Sequence, residues 1–247
     1  MISLFRNFEQ GSLPTAELLV GKVSIPVHFR RNAKAKRIIL RLSPSRNLDK
    51  PDGVVITLPT GVNWEEGLRF AQKSRDWISA RFLILPDKIY FTDGATIPFF
   101  GVDHHIRHVP GARRGVWCED NEIRVSGPLS HLPRRTKDWL KKEARRKITL
   151  LIREIAPIRG LTPGRITIRD TRSRWGSCAA NGNLSFSWRL VLAPENIIEY
   201  VVAHEAAHLA EHNHSPQFWA VVETLTPHCK VGRKWLKVHG EKLHRYG

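Results

Sequence analysis

The spacing of apolar positions changes character near residue 135 of this 247-residue chain. Upstream, apolar runs are short and bounded by turn residues. Residues 38–42 mix apolar and basic side chains in strand fashion, and 54–58 read as their hairpin partner across a polar loop at 45–53. Asn63, with Glu66 three residues later, resembles a capping box and predicts a helix to about Leu83. Short strands joined by glycine turns are expected at 89–91, 96–100, 104–108, 116–118 and 122–125.

Downstream, the repeat lengthens. Leu132-Pro133 precede a helix predicted over 136–155, with Leu140, Ala144, Ile148, Leu151 and Ile155 as its apolar stripe and Lys or Arg elsewhere. Residues 165–169 and 184–192 are expected strands, the second following the turn Ala180-Asn181-Gly182-Asn183. Ala193-Pro194 open a further helix, with Pro at a first helical position and Glu195 and Glu199 near the positive end of the dipole. The pattern predicts an α+β chain without internal repeats. A β-rich N-terminal region carrying one helix, 1–133, would be followed by a domain over 134–247 built from helices against a small sheet.

Inside the last predicted helix stands His204-Glu205-Ala206-Ala207-His208. Histidines four residues apart share one helix face, so both imidazoles can reach one zinc ion. Glu205 is rotated away by about 100° and can stand beside the metal without ligating it. Ile197 and Val201 fall near the histidines, while Ile198, Val202 and Leu209 fall beside Glu205, which turns the group toward the interior. A catalytic zinc needs three protein ligands and an open position. Candidates for the third are His212, His214, Glu223 and His228. Three ligands on one straight helix cannot surround an ion, which disfavours His212. His214 is better placed: Asn213 can end the helix in the left-handed conformation, and Ser215-Pro216 then read as N-cap and first residue of a new helix to about Leu225. Glu223 would make a His₂Glu site instead.

The order of Arg172-Ser173-Arg174-Trp175-Gly176-Ser177-Cys178, Trp188-Arg189-Leu190, Ala193-Pro194, Tyr200-Val201-Val202-Ala203-His204-Glu205, His208-Leu209, Asn213-His214-Ser215, Phe218-Trp219 and Trp235-Leu236 resembles the YgjP-like metallopeptidases. That group is related to the SprT-like and WLM zinc peptidases. The likeness is strongest from about 136 to 240. It implies a zincin-like fold with the active-site helix against a small sheet, zinc on His204, His208 and His214, and Glu205 as general base. Two departures are Ala206, where the family usually has a larger apolar residue, and the longer loop at 45–53. With zinc acidifying a water and polarising the carbonyl, peptide hydrolysis is the expected reaction on a protein or peptide substrate. Arg172, Arg174 or Tyr200 could supply a second oxyanion contact. Residues 175–178 are candidates for an edge strand that aligns an extended peptide, with Trp175 equally suited to plugging the core.

Composition narrows the setting. Three cysteines, Cys118, Cys178 and Cys229, are odd in number and lack metal-type spacing, which fits a reducing cytoplasm; Cys178 reads as a small packed hydrophobe. No run approaches the roughly 18 apolar residues of a membrane span, so no membrane insertion is expected. Residues 1–10, with Arg6 and Glu9, lack the apolar stretch of a signal peptide. The net charge of +17 is spread over both parts, 21 Lys/Arg against 13 acids in 1–135 and 19 against 10 in 136–247. Such a surface attracts nucleic acid nonspecifically, although no recognition motif for it is present. The alternative function is therefore a noncatalytic, basic, nucleic-acid-associated module whose zinc is structural. A closed four-ligand site would mark that case, and an open position the enzyme.

Overall fold

The computed structural model describes residues 15–20, 23–43, 53–84, 88–171 and 173–247. The expectations for residues 1–10, for most of the 45–53 loop and for Arg172 lie outside the described residues. The chain divides into two compact units, Met1–Pro86 and Asp87–Gly247.

In the first unit, strands β1 (Thr15–Val20), β2 (Val23–Arg31), β3 (Ile39–Ser43) and β4 (Gly53–Leu58) form one sheet in the order β1-β2-β4-β3. The hairpin expected from the 38–42 and 54–58 pattern is the antiparallel β3–β4 pair, and β2 runs parallel to β4 on its other side. Ala16, Leu18, Ile25, Val27, Val54, Ile56 and Leu58 are buried, and Ala71 and Ile78 cover them from the helices. The Asn63 cap is realised: its side chain accepts the Glu66 backbone N–H at 2.8 Å. The single helix expected after it is two, α1 (Trp64–Lys73) and α2 (Arg75–Ile84). Ser74 leaves helical geometry at φ −92°, ψ 10° while its N–H still bonds Phe70 O, so apolar periodicity runs on through an interruption of the helix.

The second unit begins with a sheet ordered β5-β6-β8-β7, from β5 (Thr96–Phe99), β6 (Val102–His108), β7 (Val116–Glu119) and β8 (Glu122–Val125). Its tight turns hold two successive residues at positive φ, Phe100 and Gly101 after β5 and Asp120 and Asn121 after β7, the conformation that suits the twist of hairpin strands. The expected strand at 89–91 is only a bridge from Ile89 to Tyr246, because the chain end and not another strand covers it. Helix α3 (Leu132–Ile155) starts earlier than the stripe suggested, and buries Leu132, Thr136, Leu140, Ala144, Ile148, Leu151 and Ile152.

A second, three-stranded sheet has the order β10-β11-β9, from β9 (Ile166–Arg169), β10 (Gly176–Cys178) and β11 (Leu184–Ser187). The strand expected over 184–192 stops at Ser187. The following residues, Trp188–Leu192, coil into a 3₁₀ segment that is buried throughout, and Arg189 there pairs with Asp170. Helices α4 (Glu195–Ala207), α5 (Pro216–Leu225) and α6 (Cys229–His239) complete the unit. Pro194 precedes α4 as its N-cap, one position earlier than the pattern suggested. Helix α4 is buried on nearly every face, packed among α3, α5, α6 and β10. It is the central post of an α+β architecture in which a helix stands against a small sheet, as expected. No helix of the described residues is long and apolar enough to cross a membrane.

Candidate metal centre

Helix α4 presents His204 and His208 one turn apart, with ring centroids 5.1 Å from each other. Ile197, Ile198, Val201, Val202, Ala203, Ala206 and Ala207 anchor the helix in the core, which draws the polar residues among them inward. The helix closes at His208, not at Asn213. Leu209 N bonds Ala206 O and Ala210 N bonds Ala207 O, both at 3.0 Å, tightening the last turn. Asn213 does not adopt the left-handed conformation. The chain turns instead through these short-range bonds and Ser215 N to Asn213 O at 2.8 Å. Ser215 then caps α5, its hydroxyl accepting the Phe218 N–H at 3.2 Å.

This turn carries His214 back to α4. Its Nε2 lies 3.1 Å from Nε2 of His204, and one nitrogen from each of His204, His208 and His214 falls within 4.8 Å of the others. Two zinc–nitrogen bonds of about 2.0–2.1 Å at a tetrahedral angle separate their nitrogens by about 3.4 Å, so the donor set has the spacing and chemistry for that ion. The protonation states agree. Burial, with the neighbouring histidines, lowers His204 to about 4, and burial lowers His208 as well. Neutral imidazoles are what a metal needs. His208 Nδ1 lies 3.0 Å from the Glu211 carbonyl, which can only accept; that nitrogen therefore holds the hydrogen, leaving Nε2 as the free lone pair. His204 Nδ1 is buried without a hydrogen-bond partner among the described residues. The Phe218 ring is 5.0, 4.5 and 4.7 Å from the rings of His204, His208 and His214, giving the group an apolar floor.

Glu205 follows His204 at about 100° around α4 and is 7% exposed. Burial pushes its carboxyl up to about 7, opposed in part by the positive charge of Arg174. The backbone of β10 presses on it: a Cβ at Gly176 would fall 2.4 Å from Glu205 Cγ and 2.6 Å from Oε1. Only glycine lets the strand come this close.

The other candidates are elsewhere. His228 pairs with Glu199 at 3.3 Å, while His212 and Glu223 are exposed and outside the histidine group. Cys178 packs against the core around α4. Tyr200 is buried edge-on to His204, with its hydroxyl raised to about 12, chiefly by burial. Arg174 is exposed just before β10. Trp175 stacks on His244 at 5.0 Å and packs against the core, so it supports the edge strand without forming part of it. Sequence reasoning missed the Gly176 contact and the approach of α6. A Cβ at Gly232 of α6 would lie 2.4 Å from Tyr200 Cγ, and Arg233 stands over the Trp219 ring at 4.4 Å. A glycine inside a helix was the one available signal, since it marks close packing.

Two helix-borne histidines, a third returned by the next turn and a buried carboxylate on the same helix make up a donor set that could hold a single metal ion. A sequence model of the YgjP-like metallopeptidase domain matches residues 44–239, and the chain belongs to that family. Membership makes it a metallopeptidase, which works with a metal ion on protein or peptide substrates. Among solved structures it is similar to the zymogen of the metallopeptidase abylysin from Pyrococcus abyssi, at 24% identity. That match covers 37% of this chain and 95% of that one, with a TM-score of 0.34. A search of curated proteins returns no match.

Proposed function

We propose that this chain is a zinc-dependent peptidase of the HExxH type, with His204, His208 and His214 holding the ion and Glu205 serving as general base. The observation that carries it is the convergence of three imidazole nitrogens, two of them from the helix that also carries a buried carboxylate. Zinc at that position supplies acidification of a water molecule and polarisation of the scissile carbonyl. Glu205 takes the proton of the attacking water and hands it to the leaving amine. Burial matches the carboxyl to this double role by bringing its proton affinity close to neutral pH. Phe218 keeps the floor dry, which strengthens every charge interaction above it.

Among the described residues, strand β10 pairs with β11 on one side only, and its other edge suits an extended peptide added as a further strand. The chemistry is assigned to residues 134–247. Three unpaired cysteines suit a reducing, cytoplasmic setting.

The test is zinc content by elemental analysis, together with hydrolysis of an internally quenched peptide library, for the wild type, His214→Ala and Glu205→Gln. Expected are about one zinc per chain in the wild type and Glu205→Gln, sharp loss in His214→Ala, and hydrolysis by the wild type alone. Wild-type rates from Glu205→Gln would defeat the general-base role. Absence of zinc from the wild type after zinc is restored would defeat the site.

A further inference from the structure

Helix α6 brings toward the centre a cation that the hydrolytic mechanism does not use. Gly232 lets α6 pack directly on Tyr200, and this contact fixes the backbone of the next residue, Arg233. The Arg233 guanidinium stands over the Trp219 indole at 4.4 Å. The same indole lies 5.8 Å from the rings of both His204 and His214. One aromatic ring is thus shared by the guanidinium and two members of the histidine group.

Arg233 is exposed, and it forms no ion pair among the described residues, whereas arginines 107, 124, 134, 146 and 189 each have a carboxylate. Glu223, one turn past Trp219 on α5, is not within ion-pair distance of it. A guanidinium resting on an indole face keeps its N–H edges free, and a planar fork of donors matches a carboxylate. Phe218, Trp219 and Tyr200, its neighbours on this wall, carry no competing negative charge.

We propose that Arg233 binds a carboxylate of the substrate near the scissile bond, so that the centre prefers peptides negatively charged at that position. The inference rests on the peptidase reading above and adds a substrate class to it. The carboxylate has two chemical sources, an acidic side chain or the free C-terminus of a short peptide.

Three sets of acetylated, alanine-based peptides separate them. One carries glutamate at successive positions with an amidated C-terminus. The second carries glutamine and a free C-terminal carboxylate, and the third glutamine and an amide. Binding is measured by calorimetry on zinc-loaded Glu205→Gln, which holds peptides without turnover, and cleavage is measured on the wild type. One charged set is expected to bind roughly tenfold to a hundredfold tighter than the neutral amide, the size of a charge-assisted hydrogen bond. The set that wins identifies the source. Arg233→Gln is expected to erase the difference between the charged and the neutral sets in binding and in kcat/KM. Arg233→Lys, which keeps the charge, is expected to retain part of it. Lys234→Gln removes the same charge from an exposed neighbour on α6 and is expected to change nothing.

The proposal is overturned if neither charged set is preferred, if Arg233→Gln slows all three sets equally, or if Lys234→Gln erases the preference too. The last result would assign the effect to the general positive field. A zinc-loaded wild type that cleaves none of the peptides would count against the peptidase reading alone, since the binding comparison still decides the role of Arg233.

Discussion

Replacing Gly176 by alanine would place a methyl carbon 2.4 Å from Cγ, 2.6 Å from Oε1 and 2.7 Å from Cδ of Glu205. Ordinary contact begins near 3.4 Å, so the strand and the carboxylate must part by about an ångström. Glu205 cannot yield freely: it is 7% exposed, on a helix packed on nearly all sides. Gly176 has no positive φ, so the backbone itself accepts alanine and the whole cost falls on this contact. Overpacking of this kind costs about 1–3 kcal/mol of stability. Moving a catalytic group by about 1 Å costs on the order of 100-fold in rate. The atoms nearest that methyl all belong to Glu205 and none to a histidine, so zinc should stay. The expected result for Gly176→Ala is full zinc content, a modestly lowered melting temperature and kcat/KM on a quenched peptide reduced about 100-fold. Zinc content, thermal unfolding and steady-state kinetics on one preparation test all three. Wild-type kcat/KM with wild-type stability would show that β10 does not bear on the base, and would refute the reasoning.

The remaining predictions concern how the scaffold holds this geometry. Ser215→Ala removes the acceptor for the Phe218 N–H, loosening the turn that returns His214; a loss of about 1 kcal/mol and weaker zinc retention against a chelator are expected, and an unchanged chelator titration would contradict this. Asp170 lies beside Arg189 and Lys137, whose charges outweigh the effect of burial and hold its carboxyl at about 2, below its ordinary 3.8. Its stabilising contribution is therefore complete above about pH 4 and lost as pH falls from about 4 through about 2. With its side chain 42% exposed, solvent screening reduces that contribution to about 1 kcal/mol. Asp170→Asn should be less stable at neutral pH and flatter across the acid range, as followed by denaturant melts at several pH values. Equal slopes for both proteins would remove Asp170 from the acid response.

Much of this was legible in the chain because it is local. The i, i+4 spacing of His204 and His208 puts both rings on one helix face wherever the helix lies. Asn63 and Ser215 cap the helices that follow them because the bond from side chain to backbone spans only three residues. The stripe from Leu140 through Ile155 announced α3 for the same reason. Errors gathered where tertiary contacts override local preference. Apolar periodicity carried the first helix through Ser74, although the helix is interrupted there. Residues 188–192 look like a continuation of β11, but full burial and the Arg189–Asp170 pair coil them into a 3₁₀ segment.

By itself, the sequence determined which residues could carry the chemistry: two histidines and a carboxylate at fixed angles around one helix, a third histidine just past its end, and a chain of helices and short strands to hold them. Only the tertiary structure decided how these meet. It closed α4 at His208 and turned His214 to within 3.1 Å of His204. It set β10 against Glu205 through Gly176, and laid Arg233 over Trp219 through Gly232. Helix spacing and capping depend on bonds a few residues long, and a sequence displays them directly. Burial of Glu205 and the approach of α6 come from segments far apart in the chain, brought together by packing of the whole core, and no local pattern encodes such a distance.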